Sequence, residues 1–275
     1  ELTKHISLRL HFPFEFLQLR TTGSCELTIP EWMFDLDYPG HYMRRIKNVS
    51  LTMPCVVGPY TGIHCRVTLL RSDTRSDPRL SDPPADCCDD CHTPDGYTPI
   101  PKDPRIVTQY GAVEAIATSS GQNDTGMFEL NFRDERYLPF EFAGAVSRWR
   151  IELPQENNQF DVETLSDVIL HMNYTAREGG DVLRRAANGL AQQHLPGAGV
   201  RFFEVEHEFP DAWQRLQQYA KGSARELMLR LKRNMFPFLP GRHDLRINRL
   251  EVLFEAPGAK PSAQRCVEFL VGPRQ

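Results

Sequence analysis

No stretch of this 275-residue chain approaches the roughly 18 to 20 consecutive apolar residues that a bilayer-crossing helix needs, so nothing in it reads as a transmembrane helix. Basic excess is also missing. Lys and Arg number 32 against 36 Asp and Glu, so a surface that tracks phosphates would have to be local, and nucleic acid is set aside as a partner. There is no G-x-S-x-G elbow and no H-E-x-x-H helix. Glu129, Asp134, Glu135 and Glu141 supply carboxylates, but at spacings typical of strands and turns that say nothing about convergence on a substrate. The chain is expected not to be an enzyme, and no cofactor is implied. Neither an initiator Met nor a signal-peptide pattern stands at Glu1, and the sequence reads as a piece of something longer.

Cysteine is present in an odd number, seven, spread too thinly for the even framework of a small secreted domain. Bacterial cytoplasmic synthesis of a soluble fragment fits. The sequons at Asn48, Asn123 and Asn173 would matter only in a eukaryotic secretory pathway. Cys87, Cys88, Cys91 and His92 form the one local cluster of metal-type ligands, since C-x-x-C spacing lets two thiolates grip one zinc ion. The second half of a zinc-finger pattern is absent, because the next cysteine is Cys266. Loop cysteines, incidental or disulfide-paired, are the favoured reading, with zinc as the alternative.

What the chain does have is period-two alternation. Ile6 to Phe16 alternates apolar with polar, as do Val49 to Met53, Phe128 to Phe132, Trp149 to Leu153, Val168 to Tyr174, Phe203 to Phe209 and Leu227 to Leu231. Repeated half-buried strands predict a mainly β protein, an antiparallel β-sandwich, with α+β as the variant. Pro13 would then sit at a strand edge or bulge. Two stretches break the rule. Asp181 to Leu195 carries a helical stripe after Gly179-Gly180, with Asp181 as candidate N-cap, and a shorter helix is expected from Pro210 to Tyr219. Both lie in the second half.

Residues 71–105 differ in kind, with seven prolines, eight Asp and five basic residues, so they alone supply −3 of the net charge of −4. With few apolar residues to bury, they read as an exposed Pro/Asp/Cys-rich insertion in a single domain spanning 1–275, with a possible sub-domain boundary near 179–200. Gly121 to Gly126 lacks the Lys of a phosphate loop and the acidic positions of an EF-hand, and reads as a turn between strands. Arg133, Asp134, Glu135, Arg136 and Tyr137, followed by Leu138, Pro139 and Phe140, join charges of both signs to aromatics. Such a loop suits docking to another protein, although Tyr137, Leu138 and Phe140 could instead fold back onto the domain's own core.

Ala117 to Glu141, with its Gly-Gln-Asn-Asp and Arg-Asp-Glu-Arg-Tyr-Leu-Pro-Phe-Glu stretches, together with Ser147 to Pro154, Leu165 to Gly180, Asp35 to Ile46 and Val56 to Tyr60, resembles the C-terminal region of the TcA subunit of insecticidal toxin complexes. The likeness runs roughly from Leu2 to Glu255. It implies a non-catalytic, β-sandwich-rich binding module of a homopentameric, pore-forming translocation subunit. The implied partner is the TcB subunit of a TcB–TcC cocoon, whose propeller opens on docking so that an enclosed toxin enters the channel. It further implies delivery as a secreted or cell-surface-bound toxin, with no membrane insertion by this fragment. No role passes to Cys87, Cys88, Cys91 or His92, and Arg133 to Tyr137 are the candidate contact residues. Two other classes remain to be tested. A carbohydrate-binding sandwich would need two of Trp32, Trp149 and Trp213 exposed on one shallow face. A glycoside-acting enzyme would need two acids about 5 to 9.5 Å apart in a deep cleft.

Overall fold

The computed structural model describes residues 1–58, 61–80, 97, 103–120, 127–131, 138–154, 156–194, 200–218, 227–236, 247, 249 and 250. The chain divides into two compact units, Glu1–Phe238 and Leu239–Gln275. The division falls after Phe238, and all the strands and helices of the described residues belong to the first unit.

In chain order the elements are β1 (Leu2–Ser7), α1 (Leu8–His11), α2 (Pro13–Thr22), β2 (Ser24–Ile29), α3 (Trp32–Asp35), β3 (His41–Pro54), β4 (Gly62–Arg75), β5 (Ile106–Ser120), β6 (Met127–Asn131), β7 (Val146–Glu152), β8 (Ile169–Glu178), α4 (Gly180–His194), α5 (Val205–Glu208) and α6 (Pro210–Gln218). They form two four-stranded antiparallel sheets, ordered β1-β8-β3-β6 and β2-β7-β4-β5. One core joins them. Ile6, Leu51, Met172 and Tyr174 from the first sheet meet Leu27, Ile63, Val67, Trp149 and Ile151 from the second. The mainly β antiparallel sandwich read from the alternation is what the chain forms. On β7, Ser147, Trp149 and Ile151 are buried while Arg148 and Arg150 between them face out, the pleat expected of a sheet with one wet face.

The alternation misleads from Leu8 onward. Ser7 accepts a hydrogen bond from the Leu10 N–H at 3.1 Å and caps α1. Pro13 opens α2 in its first turn instead of sitting on a strand edge, and Gly23, at φ 76°, ends that helix with its N–H on the Leu19 carbonyl. Capping chemistry thus overrides a period-two pattern, leaving Phe16 in the core and Phe14 exposed. Helices are consequently not confined to the second half. Residues 205–208 are likewise helical, with Arg201 donating to Glu208 at 2.7 Å and Phe203 packed on Phe209 and Phe236. Leu227 to Leu231 pairs with no strand among the described residues. The two helices read from the sequence do form, with Asp181 in the first turn of α4. Helix α4 comes close to Gly40, where a Cβ would lie 2.7 Å from that of Arg184 and φ is +85°.

Residues 71–75 belong to β4, not to an exposed loop. Ser72, Asp73 and Arg75 are buried, as are Leu80, Tyr97, Asp103 and Arg105 further along the same stretch. Polar composition is no obstacle to burial here because the charges are paired, Arg75 with Glu31 and Arg105 with Asp103.

Candidate docking surface

Both groups singled out in the sequence, Arg133, Asp134, Glu135, Arg136 and Tyr137 for docking and Cys87, Cys88, Cys91 and His92 for metal, lie outside the described residues. What flanks the first group is well defined. After Leu138 the chain turns so that the Phe140 ring packs edge-on against Trp149, 4.9 Å between centroids. Phe140 therefore belongs to the core. Two residues on, Phe142 is 67% exposed at φ +67°. That left-handed conformation is costly for an aromatic residue. It is held by the Phe142 N–H on the Ile46 carbonyl (2.9 Å) and by the Ile46 N–H on the Ala143 carbonyl (2.8 Å). Gly144 then passes so close to β4 that a Cβ would lie 2.2 Å from the Asp73 carbonyl oxygen. The chain following the charged block is thus fixed to both sheets, with one aromatic turned in and one turned out.

The second group lies within the excursion from β4 to β5, whose two roots are held by buried charge. Glu31 receives Arg44 Nη1 at 2.9 Å and Arg75 Nη2 at 2.7 Å, while Asp35 receives Arg44 Nη2 at 2.5 Å. Asp103 takes Arg105 Nε at 3.0 Å, Nη2 at 2.8 Å and the Arg105 backbone N–H at 2.9 Å. The Tyr97 hydroxyl lies 2.9 Å from Asp35 Oδ2 and 3.2 Å from the Ala187 carbonyl, and its ring packs with Leu80, Leu183 and Ala187. Charges this deep persist only when paired. Burial pushes the Asp35 carboxyl upward against the pull of Arg44, and the Tyr97 hydroxyl rises for the same reason, with Asp35 adding to it. For Arg75, burial works against the charge, but Glu31, with Asp103 and Asp35 adding to it, outweighs that and the net shift is upward.

The outer face of the second sheet is a lattice of arginines. Glu26 on β2 accepts from Arg148 and Arg150 on β7, each at 2.6 Å, and those hydrogen bonds, Arg150's foremost, hold its carboxyl below the ordinary range. Beside them Arg71 stacks over Tyr110 at 5.4 Å and bonds Asp73, which also accepts from Thr108 at 2.5 Å. Arg and Tyr on a flat exposed sheet are typical anchors of protein contacts. This face goes unremarked when the residues are read one segment at a time. Its signal is Ser147-Arg148-Trp149-Arg150-Ile151, where two arginines occupy the polar phase of an otherwise buried strand.

An open depression of about 350 Å3 is lined by Phe14, Glu15, Gln18, Ser24, Cys25 and Glu26. Glu26 is held ionised by two arginines, which makes it a poor proton donor. Burial lifts the Cys25 thiol to about 12 and Cys55 to about 11, and drives Cys65 higher still. None of the three tryptophans is exposed: Trp149 is fully buried and Trp32 and Trp213 are half-buried. Among the described residues no group of three or more His, Cys, Asp or Glu side chains is placed to hold a metal ion, and no helix is long and apolar enough to cross a membrane.

Residues 1–176 match the family model described as the Tc toxin complex TcA C-terminal TcB-binding domain. The toxin subunit YenA2 of Yersinia entomophaga is 35% identical over 196 residues, covering 69% of this chain and 14% of that protein. The chain thus spans about a seventh of this relative's length. A cryo-EM structure of Yersinia pseudotuberculosis TcaA-TcaB is similar at 20% identity and a TM-score of 0.36, over 64% of this chain and 10% of that one. With a family match over well more than half its length and a sandwich of the expected class, the chain belongs to the TcA C-terminal TcB-binding domain family of Tc toxin complexes.

Proposed function

We propose that this domain is a non-catalytic docking module that seats a TcB–TcC cocoon on a pentameric TcA translocation subunit. The observation that carries this reading is the family match over residues 1–176, which takes in both sheets through Ala176. The physical character of the domain supports it. A rigid sandwich presents an Arg- and Tyr-bearing face and an outward Phe142, and mixed charges without large excess favour register over non-specific adhesion. Five copies in a ring would multiply a modest contact into a durable one. Residues Arg133 to Tyr137 are the proposed first contacts, since they lead directly into the anchored Phe140–Phe142 corner. Delivery outside the producing cell, as a toxin component, follows from the same reading.

Interferometry of the 275-residue chain against a purified cognate TcB–TcC cocoon tests it. Saturable binding that weakens on changing Arg133 and Arg136 to Glu is the expected result. No binding by the chain or by a pentameric parent overturns the docking function, whereas unchanged binding by the double variant overturns only the assignment of Arg133 to Tyr137.

A further inference from the structure

Strand β5 is 15 residues long and pairs only with β4, so it forms one edge of the second sheet. Among the described residues nothing pairs with its outer side. Edge strands in native proteins are normally blunted by charge, Pro, shortness or a bulge, because their free N–H and C=O groups template further pairing. Ile106 to Val113 reads Ile-Val-Thr-Gln-Tyr-Gly-Ala-Val, with no charged residue and no Pro, and its one interruption is the bulge at Gly111-Ala112, where the register against β4 shifts between Tyr110 and Val113. The other three edges are all less than half as long and each carries a charge, Lys4 on β1, Glu26 on β2 and Glu129 on β6, whereas β5 runs eight residues before its first, Glu114.

Side-chain exposure points the same way. Val107 is 50%, Tyr110 77% and Val113 42% exposed. Val113 lies opposite Leu69, and two residues on Ala115 lies opposite Val67. Leu69, Val67 and Ala115 are all in the core, so Val113 sits on the core face of the sheet at its uncovered rim. Tyr110 stands on the opposite face under Arg71. A strand laid beside β5 would therefore continue the hydrogen-bond ladder on either side of the bulge and cover apolar surface on the rim of the sandwich. Ile106 to Val113 carries no charge of its own, so main-chain bonding and alternate side chains would select the occupant there, as in strand-addition modes of recognition.

We infer that β5 docks an extended, uncharged segment of the TcB partner, which adds to the sheet as a strand along Ile106 to Val113. This rests on the docking function proposed above. The occupant is assigned to TcB because β5 lies wholly within the residues that match the TcB-binding family.

The test pairs binding with amide hydrogen exchange, using the 275-residue chain and purified cognate TcB–TcC. Backbone amides within Ile106 to Val113 should gain protection in the complex. V107K and V113K, which place a charge on the edge, should each weaken binding about ten-fold or more, while V182K on the exposed face of α4 should leave it unchanged. Melting curves identify any variant that fails to fold, and the exchange measurement on the unaltered chain does not depend on the variants. Binding with no gain of protection along β5, and with V107K and V113K within about two-fold of the unaltered chain, overturns the inference and leaves the docking function standing. A chain that does not bind TcB at all overturns both. If light scattering shows the chain pairing with itself through β5, with V107K abolishing that pairing but not TcB binding, the occupant is a second copy and the inference is overturned.

Discussion

Arg75 reaches back 44 residues to grip Glu31, with Nε at 3.0 Å from each carboxylate oxygen and Nη2 at 2.7 Å from Oε2. Arg75 ends β4 in one sheet, and Arg44, which shares Glu31, lies on β3 in the other. A single carboxylate just ahead of a four-residue helix thus couples two layers of the sandwich at the root of the Pro/Asp/Cys-rich excursion.

Breaking this pair should be costly. Glu31→Gln leaves two buried guanidiniums facing a neutral amide, and loss of one partner from such a pair typically destabilises by about 3–5 kcal/mol. Urea unfolding measures it. A loss below about 1 kcal/mol would mean the cluster behaves as a surface pair and does not fasten the layers.

Gly144 makes a second, independent joint. A Cβ there would lie 2.2 Å from the Asp73 carbonyl oxygen and 2.8 Å from Thr74 Oγ1, and the first of these is backbone that cannot rotate aside. Gly144→Ala should destabilise by about 1–3 kcal/mol through forced displacement of β4 from the Phe142–Ala145 corner. Thermal melting checks this, and an unchanged midpoint would show that the corner can yield.

These joints also show how far the sequence was legible. β7, β8 and α4 were readable because Trp149 and Ile151, Leu170 and Met172, and Leu183 and Ala187 repeat at strong strand or helix periods over several turns of the pattern. β4 was read past although Ile63, Cys65, Val67 and Leu69 alternate into the core, because Thr68 among them is buried too and the register shift after Leu69 breaks the phase before the buried Ser72 and Asp73. Helix α5 is one turn long and displays no period. Asp73, Arg75, Asp103 and Arg105 looked like solvent-facing loop residues because composition counts charges one at a time. Their burial depends on partners such as Glu31, which local sequence cannot bring together. For the docking surface, the segments that carry the family likeness were legible as segments, but an edge strand becomes visible only once the sheet order is known.

Thiol reactivity should follow burial. Cys25 and Cys65 face the core, and desolvation holds both thiols protonated well above neutral pH. Native chain treated with iodoacetamide at about pH 8 should leave both unmodified, since the thiolate is the reactive form. Mass spectrometry of the peptides, with urea-unfolded chain as the positive control, decides it. Rapid native alkylation of Cys65 would contradict the packing of β4 against the opposite sheet.

The Asp103–Arg105 pair predicts the acid limb of stability. Hydrogen bonds from Arg105 hold the Asp103 carboxyl below its ordinary 3.8, so the folded state binds this proton more weakly than the unfolded chain does. Its contribution is therefore complete above about pH 4 and is lost as pH falls through the lowered folded value. Asp35 works in the opposite sense, because burial raises its value and its contribution declines as pH climbs from 3.8 toward that raised value. Asp103→Asn isolates the first effect. At neutral pH the variant lacks the ionised acceptor and should be less stable by about 1.5–3 kcal/mol, the range for hydrogen bonds to a charged group. Well below pH 4 the native Asp103 is itself protonated and nearly isosteric with Asn, so the two stability curves should converge. Urea titrations at several pH values between about 2 and 7 measure the gap. A gap that stays constant across that range would show that Asp103 titrates alike in folded and unfolded chain, and that the Arg105 bonds do not select its ionised form.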